Sequence, residues 1–348
     1  MAIGFFDILG QLATYPTLGV ILVLVMLVTI ISGATDAPNA IATAVSTRCM
    51  KPGTALIVAA ICNFVGMIVM TFISTSVAET MFNMVNFTSA DAHVSLLALM
   101  AAMIASIFWG TLCWFLGIPA SKSHSLIAGI TGGAIALNGF EGVVIGEWMK
   151  VIYGMVFSLV AGFILGFVFV KIIEKIFCTC NRSKGNVICR WIQNICAVLL
   201  AGLHGAQDGQ KFMSIAVMGI SLVIGSGTSG GQFPMWLMIL CSAMMGLGTL
   251  IGGKRIIKSV AMDMVQLEKY QGVASSLSTT LMLLIASLTG MPVSTSHCNT
   301  SSIMGVGTAK NAHDVKWKVA GNMVLAWILT FPCCGIIGFV FAKIFIMF

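Results

Sequence analysis

The chain has 348 residues, 58% hydrophobic and only 8% charged, with a formal net charge of +7. A soluble domain carries about 25% charged residues, so this composition excludes a globular enzyme on a single anchor and indicates an all-α polytopic membrane protein. The positive charge does not indicate a nucleic-acid partner, because it sits in short loops between apolar runs.

No basic flank precedes the first apolar run, so the N-terminus does not read as a cleaved signal peptide. The first span is expected over about 17–46, followed by a loop with Arg48 and Lys51. Spans are then expected near 54–78, 94–118, 122–139 and 148–177. A basic stretch, CTCNRSKGNVIC (Cys178–Cys189), follows. The second set falls near 190–222, 233–252, 270–289, 295–310 and 318–346, with breaks at GSGTSGGQFP (Gly225–Pro234) and TGMPVSTSH (Thr289–His297). A full crossing takes about 20 apolar residues. Some of these segments read equally well as re-entrant hairpins, which puts the count at roughly eight to twelve.

Of 18 Lys and Arg residues, 14 lie in four stretches: 48–51, 171–190, 254–269 and 310–318. The loops around 79–93 and 223–232 carry none. This is the positive-inside pattern, which makes the basic loops cytoplasmic and leaves both termini outside a plasma (inner) membrane. Most of the 11 cysteines lie in apolar runs as small hydrophobes. In CTCNRSKGNVIC a zinc site is the alternative to reduced thiols, but the spacing is not a standard one.

Two motifs recur in the same order. GATDAPN surrounds Asp36 and GAQDGQK surrounds Asp208; PASKSH (Pro119–His124) follows the first and PVSTSH (Pro292–His297) the second. Five segments per half is an odd number, so the second copy starts from the opposite side. Inverted repeats over 1–177 and 190–348, joined by a cytoplasmic linker at 178–189, are expected, as in transporter folds.

A carboxylate at mid-membrane depth costs about 3 kcal/mol on insertion scales, so Asp36 and Asp208 are expected to face a protein interior or a watery cavity. Pro38 lacks an N–H, and Gly33, Gly205 and Gly209 loosen the backbone, so broken helices are expected at both motifs. Freed carbonyls and a carboxylate make a site for a hard cation. Asp36, Asn39, Thr43 and Asp208 are its candidate ligands; a plain kink, with Asp held by a neighbouring helix, is the alternative.

In the second motif pair a proline opens each helix. The unpaired N–H groups of a helix start, at the positive end of its dipole, suit an anion. Ser121, Ser123, Ser294, Thr295 and Ser296 add hydroxyl donors. Helix capping accounts for one serine, but not for three consecutive hydroxyls in the second motif. Two such starts meeting would surround a tetrahedral oxyanion. At about 8 Å and an effective dielectric near 20, each pair of like charges costs roughly 2 kcal/mol. The anion therefore needs cations to bind with it, which couples the two.

Lys122 is expected to snorkel from its span end, whereas Lys211 is left open between an aspartate and the anion. For His124 and His297 a structural hydrogen bond within the hairpin is preferred over a proton shuttle. GITGG (Gly129–Gly133) and GVG (Gly305–Gly307) read as close helix packing, not phosphate loops.

At GATDAPN, GAQDGQK, PASKSH and PVSTSH the chain resembles the inorganic phosphate transporter (PiT) family, over essentially its whole length. From IGGKRIIKSV through TGMPVSTSHCNTSSIMGVG it is similar to the bacterial low-affinity permease branch. The resemblance implies a symporter of phosphate with Na⁺ or H⁺, no cofactor and no enzymatic activity, built as inverted repeats and compatible with a homodimer. It assigns Asp36, Asn39 and Asp208 to the cation and the five hydroxyl residues to phosphate. Thr35 and Gln207 depart from the Asn usual before each Asp, Asn63 stands where some animal members carry Glu, and Lys122 replaces a neutral residue. Alternatives of the same fold are a sulfate or metal–phosphate permease. Phosphate fits better than sulfate, since near pH 7 it can donate a hydrogen bond to a carboxylate and sulfate cannot; a neutral metal–phosphate complex is also open. An intramembrane aspartyl protease leaves both Pro-Ser-His motifs unexplained, and a channel leaves the discontinuous helices unexplained.

Overall fold

The computed structural model describes residues 4–88, 91–116, 121–224, 233–262 and 267–347. Pro119 and most of the expected break at Gly225–Pro234 lie outside them. The helices, in chain order, are α1 (Phe5–Thr14), α2 (Pro16–Thr35), α3 (Ala37–Ser46), α4 (Pro52–Ile73), α5 (Ser76–Asn83), α6 (Ala92–Leu116) and α7 (Lys122–Asn138). They continue as α8 (Ile145–Phe177), α9 (Arg182–Ile224), α10 (Met235–Met262), α11 (Lys269–Thr289), α12 (Thr295–Lys310) and α13 (Trp317–Met347). Pro16 and Pro52 each open their helix, where the missing N–H costs nothing.

Among the described residues, eight spans are long and apolar enough to cross a bilayer, with α2 and α3 together forming the first. The 17-residue α7 and 16-residue α12 are not among them. At 1.5 Å per residue they reach about 25 Å, short of a ~30 Å hydrocarbon core.

The outer surface is inside-out relative to a soluble protein. On α8, Ile152, Val156, Val160 and Ile164 are exposed, while Gly154, Ser158, Gly162 and Gly166 are buried. Large residues thus face outward and small ones let helices meet, as hydrocarbon surroundings require. The short helices are each held by both halves of the chain: α7 packs on α6 and α13, and α12 on α11 and α8. A Cβ at Gly132 would strike the backbone of Gly335, and one at Gly305 the backbone of Phe163. The expected packing role of these glycine-rich stretches is what the structure has.

Described residues in and beside the basic stretches contact one another. Arg190 Nε donates to the Cys49 carbonyl at 3.2 Å, Tyr270 donates to Glu174 at 3.3 Å, and Lys310 lies 3.3 Å from Glu268.

Three expectations are corrected. The break at Asp36 is one residue wide: its N–H bonds Ser32 O at 2.8 Å and its carbonyl accepts from Asn39 N at 3.0 Å. Pro38, at the start of α3, makes a kink there rather than an unwound stretch. No break occurs at Asp208, because α9 runs through it continuously. That motif has no proline, and its glycines serve close contact, Gly205 against the Asn63 backbone and Gly209 against Met67. Finally, α9 starts at Arg182, so most of the linker expected over 178–189 is the first two turns of that helix.

Candidate functional site

The kink places Asp36 7% exposed, beside the start of α7. Its nearest charged neighbours are Asp208, Lys122 and Lys211. Three residues on, Asn39 Nδ2 donates to Ser296 Oγ at 2.8 Å, and the Asn39 carbonyl accepts from Asn299 Nδ2 at 2.9 Å. The side-chain oxygens of Asn39 and Asn299 are buried and have no protein partner.

Asp208, 1% exposed, is densely satisfied. Its Oδ1 lies 3.0 Å from Lys211 Nζ and 3.3 Å from the Ser123 hydroxyl, and its Oδ2 accepts from Ser32 at 3.0 Å. His204 Nε2 lies 3.5 Å from Oδ2, long for a hydrogen bond; its other ring nitrogen is 3.0 Å from Asn63 Oδ1. Asn63 also donates to Thr249 at 3.2 Å.

The two hydroxyl-rich helix starts touch. Ser121, the N-cap of α7, donates to Ser294 Oγ, the N-cap of α12, at 2.9 Å. Ser121 Oγ also caps its own helix, accepting from the His124 N–H at 3.4 Å. Thr295 is buried at the first position of α12 and Ser296 follows, half-buried. All five expected anion residues therefore stand on two facing N-termini, where orphan N–H groups and the dipole favour negative charge. Three of the four expected cation residues, Asp36, Asn39 and Asp208, border them.

Thr43 is the exception. Seven residues beyond Asp36, about 10 Å along the helix, its hydroxyl is engaged by Ser276 at 2.9 Å and Gln193 at 3.0 Å. It belongs to a separate polar cluster between α3, α9 and α11. The snorkelling expected of Lys122 is also corrected. Its side chain is buried, with the ammonium packed against Gly110 of α6, because the missing side chain there leaves room. Among the described residues, no hydrogen bond within the hairpins holds the histidine rings. His124 and His297 meet edge to face at 4.4 Å, His297 lies over Trp327 at 3.6 Å, and neither His297 nitrogen has a protein partner. Thr35 and Gln207 turn away from the carboxylates, to Ile31 O at 2.9 Å and Ser287 Oγ at 3.0 Å.

Sequence reasoning missed Ser32 and His204. Both stand four residues before an aspartate of the motif, one turn back on the same face, and both reach Asp208. That shared spacing was a signal. Asn299 and Trp327 gave none, since they reach the site only through the packing of α12 and α13.

Comparison with known proteins gives the family and the fold. The model of a phosphate transporter family matches residues 32–338. A probable low-affinity inorganic phosphate transporter of Bacillus subtilis is 36% identical over 308 residues, 88% of this chain and 91% of its own. One from Rhizobium meliloti is 34% identical, covering 93% and 95%. Among solved structures, a sodium-dependent phosphate transporter superposes with a TM-score of 0.82 at 20% identity, covering 94% of this chain and 98% of that one. These matches are to transporters, not enzymes, and the last shares the fold.

Proposed function

Since the chain belongs to the phosphate transporter family, we propose that it is a cation-coupled symporter of inorganic phosphate working by alternating access in the plasma membrane. The two halves, 1–177 and 190–348, act as inverted repeats about the contact between α7 and α12, with the basic loops cytoplasmic and both termini outside. Ser121, Ser123, Ser294, Thr295 and Ser296 hold phosphate. Asp36, Asn39 and Asp208 hold the positive charge that accompanies it.

One observation carries this reading: the N-caps of the two short helices meet at 2.9 Å beside both buried carboxylates. An anion entering between the caps replaces the Ser121–Ser294 bond with donors from both helix starts. Asp36 then faces a second negative charge a few ångströms away, in surroundings that screen poorly. A Na⁺ or H⁺ at Asp36 removes that repulsion, and the partnerless oxygens of Asn39 and Asn299 supply further ligands for a hard cation. The ion and the anion therefore stabilise one another, and the fully loaded or fully empty site is the one able to reorient. Phosphate near neutral pH still carries a proton and so donates a hydrogen bond to a carboxylate, which favours it over sulfate.

The test is uptake of radiolabelled phosphate into proteoliposomes under separately imposed Na⁺ and H⁺ gradients, with unlabelled sulfate as competitor. Saturable accumulation driven by one gradient and resistant to sulfate is expected. Uptake indifferent to both gradients, or displaced equally by sulfate, defeats the reading.

A further inference from the structure

Asn39 and Lys211 hold the same place in the two aspartate motifs, three residues after the carboxylate. Each reaches across to the same place in the opposite half's hydroxyl motif. Asn39 Nδ2 donates to Ser296 at 2.8 Å, and Lys211 Nζ donates to Ser123 at 2.9 Å. The contact is shared, but one partner is neutral and the other is a cation.

An ammonium has three N–H donors. Those of Lys211 face three protein acceptors: Asp208 Oδ1 at 3.0 Å, Ser123 Oγ at 2.9 Å and Val293 O at 2.5 Å. None is left for an anion. A carboxylate, a hydroxyl and a main-chain carbonyl form the oxygen set that a hard cation takes. The side chain is fully buried and sits where such an ion would sit.

We propose that Lys211 is a tethered cation that permanently fills the cation position of Asp208, so that exchangeable coupling ions bind at the Asp36 side alone. This rests on the transport reading, in which cations balance the carried phosphate. It goes further by assigning one of the two balancing charges to the protein itself and by removing Asp208 from the exchangeable sites. Each transport cycle then moves one cation fewer than two open carboxylates would allow.

The test removes the tether from full-length protein. Substituting Asp36 (D36N) leaves Asp208 as the carboxylate of the pair, and this variant should show no rise in Tm with added Na⁺. The D36N/K211M variant should gain a saturable, Na⁺-dependent rise, because binding to the native state alone stabilises it. D36N/D208N/K211M should lose that rise again. In proteoliposomes, K211M should move one more cation per phosphate than the wild type.

A D36N/K211M protein as indifferent to Na⁺ as D36N overturns the proposal. So does a K211M variant that keeps the wild-type cation count while its KM for phosphate rises tenfold, since Lys211 would then be a phosphate ligand. Should K211M not fold, K211Q takes its place in the same Na⁺ melts, because its amide still donates hydrogen bonds but carries no charge; a D36N/K211Q protein indifferent to Na⁺ overturns the proposal. A wild-type protein without phosphate uptake would count against the transport reading only, because the Tm readout involves no phosphate.

Discussion

Asp36 and Asp208 stand in matching heptapeptides, yet they live differently. Asp36 sits at a one-residue kink made by Pro38, keeps 7% of its surface, and has the partnerless oxygens of Asn39 and Asn299 nearby. Asp208 lies inside an unbroken helix, with Lys211, Ser123 and Ser32 all within hydrogen-bond reach. The repeated motif keeps the places of the residues but not their chemistry. One carboxylate is left with capacity for an incoming charge, and the other has its capacity used.

The strongest way to break this comparison is Asp208→Asn. It strands Lys211 as a buried, unpaired ammonium and is expected to cost about 3–5 kcal/mol of stability, seen as loss of monodisperse protein and a lowered Tm. Asp36→Asn should leave Tm nearly unchanged but reduce gradient-driven phosphate accumulation about 100-fold, the loss of a roughly 3 kcal/mol charged ligand. Equal behaviour of the two variants would erase the distinction between the carboxylates.

Smaller effects sharpen the picture. Gly132→Leu forces a side chain into the Gly335 backbone and should destabilise by about 1–3 kcal/mol, measured by thermal melting. The paired change Ser121→Ala with Ser294→Ala removes two hydroxyl donors and should raise the KM for phosphate about tenfold while leaving the cation count unchanged. Thr43→Val should change uptake less than about twofold, at a cost of about 1 kcal/mol in stability from the partners left at Gln193 and Ser276. A large coupling defect in Thr43→Val would return that residue to the cation site.

Much of the site was readable because its residue types are expensive where they stand. Two aspartates in apolar runs, and hydroxyl clusters behind proline, are costly in a bilayer unless they face a polar interior, and their order in the chain located the meeting of α7 and α12. What sequence obscured was local or distant. Glycine beside Asp208 looked like a helix breaker, but Gly205 and Gly209 serve the crossing with α4, and without proline the helix continues. Lys122 looked like a surface lysine until Gly110, on another helix, proved to leave a space for it. His297 was assigned a hydrogen bond, yet its ring lies over Trp327, thirty residues later and on another helix. Pairings of that kind depend on tertiary contacts that no local spacing encodes.

The grip of α13 on α7 bears on how the protein is made. During synthesis α7 leaves the ribosome long before the helix that covers it, and His124 waits for Phe331, the ring it packs against at 4.7 Å. The pocket proposed for the anion is therefore completed only when α13 inserts. A nascent chain halted before Trp317 would expose a polar, half-built helix to lipid, a form suited to recognition by membrane proteases.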